Sequence, residues 1–245
     1  MISHSSPLPP DRAVMSQRYP QLQTIWSDLL LDKEADRLPA SDTASQLRLI
    51  HTLSFASQDK AVALIASPRL QAWLTRPSSS MLLVNGQMFS NDAEALQSPL
   101  SYFCARLIDN FLNRSQHGGA SVASQPLGLR WFCGMHTNQK KDEYASPAGI
   151  VISILSQLIH QIVESPAPVT LTDVSILDKL VREEDSLCIF ERLVGVLPAG
   201  TVLFCVLDGL SYYEDKKRGK DCMDLLTMLA KLTRRRPETI HGPMV

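Results

Sequence analysis

Long apolar runs, an excess of charge and paired cysteines are all missing from this chain, and each absence removes a class of function. No apolar stretch approaches the ~18 residues that a membrane helix requires, so no transmembrane segment is expected. With 24 basic residues against 25 acidic, no overall field draws the chain to nucleic acid or to an anionic membrane. The opening "MISHSSPLPPDRAV" has neither a basic start nor an apolar core and does not read as a signal peptide. The five cysteines (Cys104, Cys133, Cys188, Cys205 and Cys222) stand singly in apolar segments. An odd number without C-x-x-C spacing fits neither a disulfide framework nor a zinc site. They read as reduced core residues, which points to a cytoplasmic location.

What is present is enough apolar material for a sizeable core: 245 residues, 44% hydrophobic and 20% charged. Residues 1–18 are rich in Ser and Pro and read as a mobile arm. Residues 19–77 form a helical preface. Its helices are expected over "LQTIWSDLLL", after Asp42 with Ala44, Leu47, Ile50 and Leu53 on one face, and over "QDKAVALIA" and "SPRLQAWL". Ser67 is the expected N-cap of the last, with Pro68 at its first position.

From residue 78 to 245 the pattern changes to an α/β core. "MLLVNG" (81–86) reads as a buried strand, followed by a Ser98-Pro99-opened helix with Leu100, Phe103, Cys104, Leu107, Ile108 and Phe111 on one face. "LRWFCGM" (129–135) reads as a second strand. After the loop 136–145, "SPAGIVISILSQLIHQIV" repeats the Ser-Pro opening, with Val151, Ile154, Leu155, Leu158, Ile159 and Ile162 aligned. Two short helices around 173–182 and 186–197 lead to a third strand, 201–207. The last helix turns Cys222, Leu225, Leu226, Leu229 and Leu232 inward. Strands that are near-continuous apolar runs, each followed by a helix, predict a three-layer parallel sheet with helices on both faces. Ligands of such sheets lie beyond the strands' carboxyl ends, here Asn85-Gly86, Gly134-Met135-His136 and Asp208-Gly209.

At those ends Asp208 has two readings, a magnesium ligand or a carboxylate that caps the following loop. A phosphate-binding loop needs glycines, a Lys and a Ser or Thr, whereas "NGQMFSNDAEALQS" has one Gly and no Lys or Arg. Its Asp92 and Glu94 would repel a polyphosphate, by about 4 kcal/mol per charge pair at ~4 Å and an effective dielectric of ~20. Cys133 and His136 read as a core cysteine and a surface histidine rather than a metal or nucleophile pair. His160 reads as solvated. Arg234, Arg235 and Arg236 suit a helix C-terminus. Tyr212 and Tyr213 are open between a partner-binding lip and packing against the last helix.

In order, "MLLVNG", "RWFCGMHT", the helix ending "ILSQLI" and "LFCVLDGLSYYED" resemble the nucleotide-binding core of NACHT-type STAND P-loop NTPases, as in fungal NACHT-like proteins, over about residues 78–235. The resemblance implies a P-loop NTPase fold handling Mg-ATP or Mg-ADP. It places Asp208 at the family's magnesium-coordinating aspartate, with Gly209-Leu210 continuing the motif. Ser211 and Tyr212 stand where the family has an acidic pair, and Glu214 and Asp215 come later. The family also has another strand between the phosphate-loop strand and the Asp-ended strand. Either this chain is a piece of a longer protein, or 81–85 and 201–207 pair directly. The first functional reading is a degenerate NACHT/STAND-like domain without competent ATP hydrolysis, acting as a protein-interaction or regulatory module. It would bind other proteins and is open to self-association, with no membrane and no specific nucleic acid among its partners. The second is a weak Mg-nucleotide binder, with Asp208 on the metal and Asn85, Gly86 and Ser98 near the phosphates. The third is a non-functional fragment of a longer STAND protein.

Overall fold

A computed structural model describes residues 19–29, 37–85, 98–117, 126–164 and 169–234. The architecture is α/β: helices surround a small sheet of two parallel strands. In chain order the elements are α1 (Pro20–Leu29), α2 (Leu38–Arg48), α3 (Phe55–Ile65), α4 (Pro68–Leu74), α5 (Pro99–His117), β1 (Leu127–Phe132), α6 (Pro147–Glu164), α7 (Leu177–Leu180), α8 (Ser186–Gly195), β2 (Leu203–Asp208) and α9 (Gly219–Arg234). Proline recurs in the opening turns of α1, α2, α4, α5 and α6, where its missing N–H is not needed for the helical ladder.

The two strands pair in register from Leu127 opposite Leu203 to Phe132 opposite Asp208. One face of the pair carries Leu127, Leu129 and Trp131, which join the main core with α6 and with Tyr19, Leu22 and Ile25 of the α1 region. The helical preface is thus packed onto the rest of the molecule. Tyr19 adds a buried tie, its hydroxyl donating to the Val169 carbonyl at 3.3 Å and accepting from the Leu171 N–H at 3.2 Å. The opposite face rests on α5: Phe204 stacks on Phe111 with ring centroids 4.7 Å apart. Gly128 lets α5 approach, because a Cβ there would sit 2.6 Å from Leu112 Cδ2.

The outer edge of β1 is closed by side chains. Gln161 accepts from the Gly128 N–H and donates to the Gly128 carbonyl, both at 2.9 Å. One turn earlier Gln157 accepts from the Arg130 N–H at 3.1 Å and donates to its carbonyl at 2.9 Å. Bonding residues alternate along a parallel strand, and Leu127 donates to the Val202 carbonyl. Leu203, Cys205 and Leu207 therefore turn their backbone groups to the other edge of β2, where no strand pairs among the described residues.

Several sequence expectations are met. The α6 face of Val151, Ile154, Leu155, Leu158, Ile159 and Ile162 is buried throughout, and Ser67 and Pro68 open α4 as read, although the Ser67 hydroxyl makes no capping bond. Others are corrected. The strand expected over 81–86 is not formed: 81–85 have no regular structure, and Gly86 lies outside the described residues. Leu83 is 70% exposed. An apolar run becomes a strand only when a neighbour completes its ladder, and among the described residues no strand pairs with 81–85. Direct pairing of 81–85 with 201–207 is not formed: the other edge of β2 stays without a strand among the described residues. The second strand begins at Leu127 and ends at Phe132, with Cys133–Met135 forming a 3-10 turn. Asp42 does not precede its helix but lies inside α2, whose buried residues are Pro39, Asp42, Thr43 and Gln46, while Ala44 is exposed. His160 is not simply solvated: it lies against Trp26 of α1, centroids 5.6 Å apart. Its buried Nδ1 meets no hydrogen-bond partner among the described residues.

Candidate functional site

The strands end side by side at Phe132 and Asp208, so whatever chemistry the sheet supports is gathered there. Asp208 is reached by the first turn of α5, where the Ser101 hydroxyl donates to its Oδ2 at 2.6 Å. Burial pushes the Asp208 carboxyl above the ordinary carboxylate range, and the Ser101 bond only partly offsets this. Among the described residues, no Lys or Arg ion-pairs with Asp208.

The residues expected around it are distributed differently. Ser98 sits at the same helix terminus, but its hydroxyl accepts from the Leu100 N–H at 3.2 Å and the Ser101 N–H at 3.5 Å. It caps α5 rather than facing Asp208. Asn85 is exposed at the end of 81–85, Gly86 lies outside the described residues, and so do Asp92 and Glu94. The residue that does meet Asp208 is Ser101. Its signal was present as the second serine of "SPLS", the third residue of the helix that Ser98-Pro99 was expected to open.

A hydroxyl and a carboxylate could supply two of the six oxygens that Mg²⁺ takes, with the others from phosphate and water. The donor set fits a metal in part. Two cations, Lys140 and Arg218, line the described depression at this end of the sheet, about 390 Å³ and open, with Thr137, Asn138 and Gln139, and neither ion-pairs with Asp208. Arg218 is already committed, with Nε on Asp215 Oδ2 at 2.6 Å, a terminal nitrogen on the Tyr212 carbonyl at 2.9 Å and its guanidinium 4.7 Å from the Tyr213 ring centroid. Asp215 also accepts from the Lys217 and Arg218 N–H groups that lead into α9, and Glu214 is exposed. Neither takes the place of a second carboxylate beside Asp208.

The tyrosines left open by the sequence are both packing residues. Gly209 adopts φ 70°, a conformation glycine enters without cost, and the chain turns through Leu210–Tyr213. The Tyr212 ring then lies so close that a Cβ at Gly134 or Gly209 would come within 3.1 or 3.0 Å of it. Tyr213 is fully buried, and its hydroxyl donates to the His136 carbonyl at 2.8 Å.

His136 is the main departure from the sequence reading. It is buried at 5% exposure rather than lying on the surface. Its Nε2 is 2.9 Å from Asp42 Oδ2 and its Nδ1 2.6 Å from Asp142 Oδ2. The ring stacks on Trp131 at 4.0 Å. Burial is the largest influence on His136 and opposes its protonation, but the bonds and charges of Asp42 and Asp142 together outweigh it and raise the pKa. Asp142 lies six residues along the chain, but Asp42 is 94 residues away, and nothing in the sequence links it to His136. With both ring nitrogens occupied by carboxylates, the imidazole is built as a tie rather than as an acid–base catalyst.

The cysteines are unsuited to nucleophilic chemistry. Burial lifts Cys104 and Cys133 well above the usual thiol range and Cys205 to about 12, whereas a reactive thiol needs a lowered value. Among the described residues no cluster of three or more His, Cys, Asp or Glu is placed to hold a metal ion, and no helix is long and apolar enough to cross a membrane.

Comparison of the chain with protein-family models, with curated proteins and with solved structures found no match in any of the three.

Proposed function

We propose that this chain is a degenerate NACHT/STAND-like domain that acts as a protein-interaction or regulatory module without competent ATP hydrolysis. In this reading the two described strands belong to a three-layer parallel sheet of the P-loop NTPase type, and the domain works in the cytoplasm. The observation that carries it is the state of Asp208. The one carboxylate at the position of a magnesium ligand is bonded to Ser101, has its pKa raised by burial and has no cationic partner among the described residues. Five cysteines without a disulfide agree with a reducing compartment.

A second reading, a weak binder of Mg-ATP or Mg-ADP, is favoured by the same pair. A hydroxyl in the first turn of a helix, 2.6 Å from a strand-end carboxylate, is an arrangement that a divalent cation could join.

Thermal unfolding with and without saturating Mg-ATP or Mg-ADP separates the two. Ligand at 100 times its Kd stabilises by about 2.7 kcal/mol, and each kcal/mol moves the midpoint by roughly 2–4 °C for a chain of this size. No shift supports the module. A rise of several degrees that disappears in Asp208→Ala supports the nucleotide binder and overturns the module.

A further inference from the structure

We propose that His136, held between Asp42 and Asp142, is a pH-operated latch that ties α2 to the strand ends and releases it when the imidazole loses its proton. Only the imidazolium donates from both ring nitrogens; the neutral ring keeps one donor and turns a lone pair to the other side. Here both sides face carboxylate oxygens, at 2.6 and 2.9 Å. The neutral ring must therefore set a lone pair against a buried carboxylate, an arrangement that is costly away from water.

The geometry also determines which side opens. Asp142 holds the shorter contact, has a second tie to the Tyr144 N–H at 2.9 Å and is 25% exposed in its side chain. Asp42 is only 7% exposed and has His136 as its hydrogen-bond partner. The remaining proton stays on Nδ1, and Asp42 moves to find water, taking α2 with it.

α2 packs on α5 and β1, but its buried residues are mostly polar, Asp42, Thr43 and Gln46 beside Pro39, with Leu38 half-buried against the core. A second polar tie is Arg130 Nε donating to the Pro39 carbonyl at 3.0 Å. The remaining charged and titratable groups around the latch are Arg130, Tyr213 and Arg218. On β1, Arg130 is balanced by Asp109 of α5 as well as by Asp42. Tyr213 grips the His136 carbonyl, and Arg218 lies over the Tyr213 ring. The ring face is closed by Trp131, with Tyr144 beyond it.

The sign follows from the raised pKa of His136. Its tie is complete below the unfolded value of about 6.5 and is lost as pH rises through the higher folded value. The latch needs no nucleotide and stands whichever reading of Asp208 holds.

The test is amide hydrogen exchange on the intact chain between about pH 6 and about pH 9, expressed as protection factors so that intrinsic rates cancel, with His136 titrated by NMR in parallel. Protection of α2 is expected to fall about ten- to a hundredfold, the loss of one charge-assisted bond, while α6 holds steady. The midpoint should coincide with a His136 titration above the ordinary histidine value. Asp42→Asn replaces the carboxylate with an amide that can donate to the neutral ring, so α2 should keep pH-independent protection. Constant α2 protection in the unaltered chain, or a His136 midpoint at or below about 6.5, overturns the latch. So does a fall in Asp42→Asn equal to that of the unaltered chain.

Discussion

Asp208 sets the terms at the scale of single residues, because its carboxyl is protonated more readily in the folded chain than in the unfolded one. A raised carboxyl contributes stability below the unfolded value of about 3.9 that is lost as pH rises through the folded value. At neutral pH the charge is therefore a cost. Asp208→Asn keeps an acceptor for the Ser101 hydroxyl and removes that charge, so the thermal midpoint should rise by about 2–4 °C per kcal/mol regained, measured near pH 7 without nucleotide. A fall would mean that the charge has a partner beyond Ser101. Gly149 makes the opposite point. A Cβ there would meet the Tyr144 carbonyl oxygen at 2.2 Å, and backbone cannot step aside as a side chain can. Gly149→Ala is expected to cost about 1–3 kcal/mol, read by chemical denaturation. Both residues could be picked out in the sequence, Asp208 by its place at the end of an apolar run and Gly149 in the "SPAG" opening. Their consequences could not, since Ser101 and the Tyr144 carbonyl are neighbours only after folding.

Among the elements, α6 carries two assignments at once: an apolar face for the core and a polar row, Gln157 and Gln161, for the edge of β1. Gln161→Ala leaves the Gly128 N–H and carbonyl without partners, at about 1–3 kcal/mol. The checkable signature is local: exchange of the Gly128 amide should accelerate while that of Leu129, bonded within the ladder, changes only with global stability. The apolar face of α6 was legible because six large side chains repeat at helical spacing. The polar row was not, because glutamines at that spacing usually face water. The same distinction explains α2. Its buried stripe is Asp42, Thr43 and Gln46, so a search for apolar periodicity places the helix wrongly and treats Asp42 as a cap. The run at 81–85 fails in the opposite sense, being apolar yet outside the ladder.

For the whole molecule, the order of helices and the parallel pairing of the two strands follow from the alternation of apolar runs and helical patterns. The closeness of α1 to the core does not follow from it. Leu22 is fully buried in the same cluster as Leu129 and Leu158, although more than a hundred residues separate them in the chain. Leu22→Ala should cost about 2–5 kcal/mol and lower one cooperative transition, monitored by circular dichroism and by tryptophan fluorescence together. A separate early transition would show that α1 folds apart from the sheet. The glutamine pair has a last consequence at this scale. With Gly128 and Arg130 satisfied by amide side chains, the sheet has a sealed end and a growing end. Any further strand, natural or engineered, has to be added beyond β2, and two side chains on one helix set that polarity.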